Sequence, residues 1–171
     1  MTIPEVLLVA DSTEVTVIAQ LVYRFGNYAS INSAILEDII GGEVVGLQMY
    51  NSLDDYQIGD VLKITATKTT YGGVPQIQSA TSVEVLYHAD PIPAQPFNDF
   101  SEVLANKANL LSEYIKVYNV TLGEYNDNGT TYIYRIHGVS LVAEPLICCV
   151  KLRIILGVHR ISKCLECYHK R

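Results

Sequence analysis

Three sets of residues in this 171-residue chain have types and spacings associated with chemistry. Cys164-Leu165-Glu166-Cys167 puts two thiols at metal-ligand spacing, with Cys148, Cys149, His159 and His169 nearby in sequence. A structural zinc site takes four such ligands in a tetrahedron. One CxxC supplies two of them, and the remaining spacings fit no zinc-finger pattern, so no metal or other cofactor is assigned. Glu37-Asp38 and Asp54-Asp55 are adjacent carboxylates. Neighbours on a strand point to opposite faces, and neighbours in a loop both face water, so neither pair is placed for acid–base work. His88 stands alone beside a proline-rich stretch. There is no Gly-rich phosphate loop, Ser-His-Asp set or supported Cys-His pair, and the chain is expected to be non-catalytic.

Composition limits the partners. Hydrophobic residues make up 49% of the chain and charged ones 18%, the balance of a protein that buries a core. Residues 1–138 carry 6 basic and 16 acidic side chains, a net −10, whereas residues 139–171 carry 6 basic and 2 acidic, a net +4. Affinity for phosphate backbones comes from Lys and Arg displacing counterions, so the acidic part opposes that kind of binding. All four cysteines fall after residue 147, and no apolar run approaches the ~18 residues of a membrane helix. A chain exported from the cell would need a leader beyond this sequence.

The elements that must position any site read mainly as strands. Thr2 can cap a helix over residues 3–10 with Pro4 in its first turn. From Thr13 the period changes to two, with Val15, Val17, Ala19, Leu21 and Tyr23 expected on the buried face. Ile18 and Val22 on the other face suggest that it too is partly covered, as where a strand curls between barrel layers. A second strand is expected over 33–38. Gly41-Gly42 then forms a tight hairpin into a third strand, 43–50. Residues 51–60 are polar and turn-rich, suited to a short helix or a crossing loop.

Gly59 to Gln78 reads as turn, strand, turn, strand, with Leu62, Ile64 and Ala66 alternating with Lys63, Thr65 and Thr67. The fifth strand is expected to continue to Ser79 and again from 82 to 86. Pro91, Pro93 and Pro96 impose an extended connector. Beyond it come a helical stretch over 97–111 with Ser101 as a possible cap, a strand over 114–122, a polar turn at Asn126-Asp127-Asn128-Gly129, and a returning strand over 130–137. Four segments follow: a domain at 1–88, a linker at 89–96, a partial second unit of the same kind at 97–138, and an anomalous tail at 139–171 where charge, cysteine content and patterning change together. A truncation, a frameshift or a scar would each produce such a tail.

Thr13-Glu14-Val15-Thr16-Val17, Ile40-Gly41-Gly42-Glu43-Val44 and Gly59-Asp60-Val61-Leu62-Lys63-Ile64-Thr65 resemble the OB-fold modules of secreted or wall-attached bacterial proteins. These modules occur as tandem accessory domains of multidomain nucleases and phosphoesterases. The resemblance covers residues 2–88 well and 97–137 loosely. It implies an all-β, five-stranded Greek-key barrel behind a short N-terminal helix, and an extracellular or cell-surface setting beside other domains of a larger protein, without membrane insertion. Such modules usually carry glycine in the first and fourth strands where the barrel bends. Ala19-Gln20 and Ala66 stand there instead, which requires bulges to carry the bend.

The ligand surface of an OB-fold lies on strands two and three and the loops after strands one and four. By that resemblance the candidates are Tyr23, Arg24, Phe25, Tyr28, Tyr50, Lys68 and Tyr71. Rings beside cations can stack bases or sugars, at ~1–3 kcal/mol per base. Tyrosine is also enriched in strands for packing alone. The expectation is a non-catalytic binding module for single-stranded nucleic acid or an oligosaccharide. The alternative is a structural spacer or protein-interaction domain without a small ligand.

Overall fold

A computed structural model of the chain describes residues 1–24, 33–51, 53–106, 110–118, 122–127 and 132–136, the last two stretches by their backbone. Its first element, α1 (Ile3–Leu8), forms for the local reason expected. The Thr2 hydroxyl accepts from the Glu5 N–H while the Glu5 carboxylate accepts from the Thr2 N–H, a reciprocal capping box, with Pro4 in the first turn. A helix of six residues is not stable alone. Ile3 and Val6, both fully buried in the main core, tie it down.

Five strands follow: β1 (Glu14–Arg24), β2 (Ala34–Ile40), β3 (Glu43–Tyr50), β4 (Asp60–Tyr71) and β5 (Val74–His88). They pair in the order β1-β2-β3-β5-β4, and β1 also pairs with β4, so the hydrogen-bonded ring closes and leaves no edge. All pairs are antiparallel except β3 with β5. Strands dominate the fold, and the architecture is all-β in kind. The inner face carries the core: Val15, Val17, Ala19 and Leu21 from β1 meet Leu36, Leu47, Met49, Leu62, Ile64, Ala66 and Ile77, each 3% exposed or less. Residues 53–59 form a loop rather than a helix, and its Leu53 joins the core.

Irregularities do the bending that glycines do elsewhere. Between β4 and β5 the register shifts on either side of Ala66, where Thr65 faces Ser82 but Thr67 faces Gln78, and Ser79 takes a left-handed φ of 52°. The expected two-piece fifth strand is thus one long strand with a bulge at its bend. In β1 the shift falls between Leu21, opposite Leu36, and Tyr23, opposite Ile35, leaving Val22 as the extra residue. That one residue changes the alternation. Leu21 points inward, but Tyr23 joins Val22 and Ile35 on the outside instead of the buried set assigned to it.

The outer face of β1 and β2 is indeed covered, though not by another layer of the ring. The covering comes from later in the chain. Ile92 of the connector and Tyr114 pack on Val22, Ile35 and Tyr23. Ile18, nearer the start of β1, stays 46% exposed. The connector is also more structured than a linker: β6 (Gln95–Phe97) pairs in parallel with β7 (Ile115–Val117). Between them lies α2 (Phe100–Asn106). Its cap is Asp99 and not Ser101, because the Asp99 carboxylate accepts from the N–H groups of both Ser101 and Glu102. Phe97, Val103, Leu110, Ile115 and Val117 form a second small core.

The strand expected over 114–122 is divided into β7 and β8 (Leu122–Asp127), and β8 pairs antiparallel with β9 (Tyr132–Ile136). The turn at Asn128-Gly129 and the tail at 139–171 lie outside the described residues. No helix among the described residues is long and apolar enough to cross a membrane.

Candidate ligand face

Register partners trace one row across the five strands: Arg24, Ala34, Met49, Ile77 and Lys68. The two cations stand at the ends of this row and bond to different parts of the chain. Arg24 donates from Nη1 to the carbonyls of Leu53 and Asp54 at 3.4 and 3.0 Å and holds the loop after β3. Lys68 departs from the expected role. Alternation along β4 sets it on the same side as Leu62, Ile64 and Ala66; the residue is 6% exposed, and its ammonium is bonded to Asp11 at 2.5 Å and Thr70 at 3.1 Å. The Lys68 hydrogen bond holds the Asp11 carboxyl below its ordinary range, and Thr70 adds to this. A cation enclosed in this way is not offered to a ligand.

The tyrosines scatter as well. Tyr50 is 51% exposed at the end of β3, and Tyr71 is 78% exposed at the β4–β5 hairpin. On β5 their partners are Gln78 and Val74, four residues and roughly 13 Å apart along the strand. Tyr23 is half-buried and stacked on Tyr114, with centroids 5.5 Å apart and planes 6° from parallel. Phe25 and Tyr28 lie outside the described residues.

What the structure does bring together on the outer face is a pair of polar side chains that hold the chain's own backbone. Gln20 and Glu37 are direct partners across β1 and β2. The Gln20 amide donates to the carbonyls of Gly59 and Asp90, each at 3.1 Å, and its oxygen accepts the Ile92 N–H at 2.7 Å. Glu37 is fully buried, and its Oε1 accepts the Tyr114 N–H. Its other oxygen has no partner. Across from Glu37 on β3 is Gly46, where any Cβ would collide with the carbonyl of Ser112. Residues 112–114 therefore lie directly on β2 and β3.

The electrostatics of this contact are one-sided. Burial pushes the Glu37 carboxyl up to about 8, against the lowering effect of the Tyr114 N–H, and the nearby Glu113 adds to the rise. Burial and then Glu43 push Glu113 up to about 7. Beside it a groove of 280 Å³ runs between the ring and the connector, lined by Ile18, Gln20, Glu37, Ile39, Tyr87 and Ile92 among others.

His88 is not alone. Its Nδ1 is 2.8 Å from Asp60 Oδ1, and the Gln57 N–H also reaches that carboxylate. The dyad closes the β4–β5 end beside Gly59, whose carbonyl accepts from Ala89 and Gln20. Asp38 accepts the N–H of the next residue, Ile39, at 2.8 Å. Asp54 and Asp55 are exposed in a turn. The cysteine and histidine positions of the tail lie outside the described residues. No protein-family model matches the sequence, and no curated protein is similar to it.

Proposed function

We propose that residues 1–88 form an OB-fold module acting as a non-catalytic structural spacer, with its outer face used to seat the part of the chain that follows. The observation that carries this is the Gln20 and Glu37 pair, whose side chains bond to Asp90, Ile92 and Tyr114. The strand order β1-β2-β3-β5-β4 is that of the OB-fold resemblance. In that fold the β2–β3 face takes ligands, and here Ser112 and Tyr114 occupy it. The setting is a larger exported bacterial protein whose other domains the spacer would hold apart. The test is orientation in solution. Residual dipolar couplings of the full chain should fit one alignment tensor over residues 14–88 and 95–118, and two independent tensors would overturn the proposal.

A second reading, binding of single-stranded nucleic acid or oligosaccharide, draws support from the exposed rings of Tyr50 and Tyr71. Titration of the full chain at low salt with a mixed oligonucleotide and a panel of oligosaccharides tests it. Saturable binding weakened by Tyr71→Ala would support this reading, and no saturation, or no change in the variant, would remove it.

A further inference from the structure

We infer that the seat for residues 112–115 on β2 and β3 is proton-gated: it holds this segment while Glu37 is neutral and releases it as Glu37 ionises, uncovering the face. The inference rests on the spacer reading above and adds its regulation.

The geometry carries the argument. Glu37 is fully enclosed under the segment it binds, with one oxygen on the Tyr114 N–H and the other unpartnered. A buried carboxylate with an unmet oxygen is costly, whereas a neutral acid is tolerated there. Lift residues 112–115 away and Glu37 faces water from the outside of a strand, where ionisation is cheap. The charged group shown to act on Glu37 is acidic. Glu113 comes from the docked segment, Glu43 from β3 acts on Glu113, Asp38 precedes Ile39 on β2, and Asp90 of the connector lines the same groove. The facing position on β1 is the neutral Gln20.

The sign follows from proton counting. A carboxyl with a raised value binds its proton more tightly when docked than when released, so docking is strongest below the ordinary carboxyl value of 4.5 and weakens as pH rises towards about 8, the value for docked Glu37. One proton changes the docking constant by about tenfold per pH unit in this window. Glu113, with its value of about 7, acts in the same direction.

Hydrogen exchange of the full chain, followed by NMR from about pH 5 to about pH 8 and corrected for the intrinsic rate, tests this. The Tyr114 amide should lose protection by at least about tenfold per pH unit, while Val17 and Ile64 amides in the ring stay unchanged. Glu37→Gln keeps an acceptor for Tyr114 without a charge, and its Tyr114 protection should be higher than in the wild type and fall less steeply, with Glu113 left to titrate. Glu113→Gln should flatten the profile in part. Flat protection in the wild type, or a Glu37→Gln profile that tracks the wild type, would overturn the gate and leave the spacer reading standing. An unprotected Tyr114 at the acid end would instead remove the docking on which both rest.

Discussion

Gln20 and Glu37 face each other across β1 and β2, and each directs its side chain to backbone more than sixty residues further along the chain. Gln20 takes the connector at Asp90 and Ile92, and Glu37 takes Tyr114. One rung of the ladder thus links the ring to both sides of the 88–114 stretch. Both side chains are bonded to the chain's own backbone.

Gln20→Ala should lower stability by about 1–3 kcal/mol, because the carbonyls of Gly59 and Asp90 and the Ile92 N–H lose a buried partner together. Urea denaturation followed by tyrosine fluorescence measures it. A loss within error of zero would mean that water replaces all three bonds.

Gly46→Ala should separate docking from folding. The added methyl collides with the Ser112 carbonyl and so expels residues 110–118, while the ring keeps its pairing, because alanine is compatible with a strand. The expected result is loss of amide protection over 110–118 with the amides of β1 and β4 still slow. Protection retained at Tyr114 would show that the ring yields instead.

Gly59→Ala should be more damaging than Gly46→Ala to the ring itself. Gly59 has φ 103°, and a Cβ there would approach the Ala89 carbonyl to 2.5 Å and the His88 ring to 2.9 Å. A cost on the order of 1–3 kcal/mol is expected from the strained backbone alone. Thermal unfolding by circular dichroism checks it, and an unchanged midpoint would contradict the geometry.

The acid limb of the stability profile should depend on Asp60. The Gln57 N–H first, and then the His88 ring, hold its carboxyl below the ordinary 3.8. A group with a lowered value takes up its proton less readily when folded, so its contribution is present above the unfolded value and is lost as pH falls through the folded one. Unfolding midpoints should therefore drop below about pH 4, and Asp60→Asn should flatten that drop. An identical slope in the variant would transfer the effect to other carboxylates, Asp11 among them.

Local rules reached a good part of this fold. Thr2 and Glu5, three residues apart, cap the helix with bonds to each other, so nothing distant had to be known. Val15, Val17, Ala19 and Leu21 alternate because one face of β1 meets the core, and Gly41-Gly42 marks a hairpin by its own φ angles of 64° and 92°. The clue to Lys68 was also present: it continues the set Leu62, Ile64, Ala66. Family placement on a ligand face obscured that alternation.

The remainder has no local mark. Nothing in Leu21-Val22-Tyr23 distinguishes an extra residue, since all three are apolar enough for either face, yet the bulge decides where Tyr23 points. The bonds from Gln20 to Ile92 and from Glu37 to Tyr114 span 72 and 77 residues. Asp60 and His88 are 28 apart and meet only because β4 and β5 pair along their full length. Asp99 was hidden by Ser101, an equally good cap two residues later.

The seat on β2 and β3 also sets a threshold for any outside competitor. Because residues 112–115 are tethered to the ring through the connector, they are present at an effective concentration of about a millimolar. A free peptide of sequence 110–118 would have to be supplied at about that concentration to take half of the seats. A natural rival at micromolar levels would need roughly a thousandfold better contact with Glu37 and Gly46 than the chain's own segment makes.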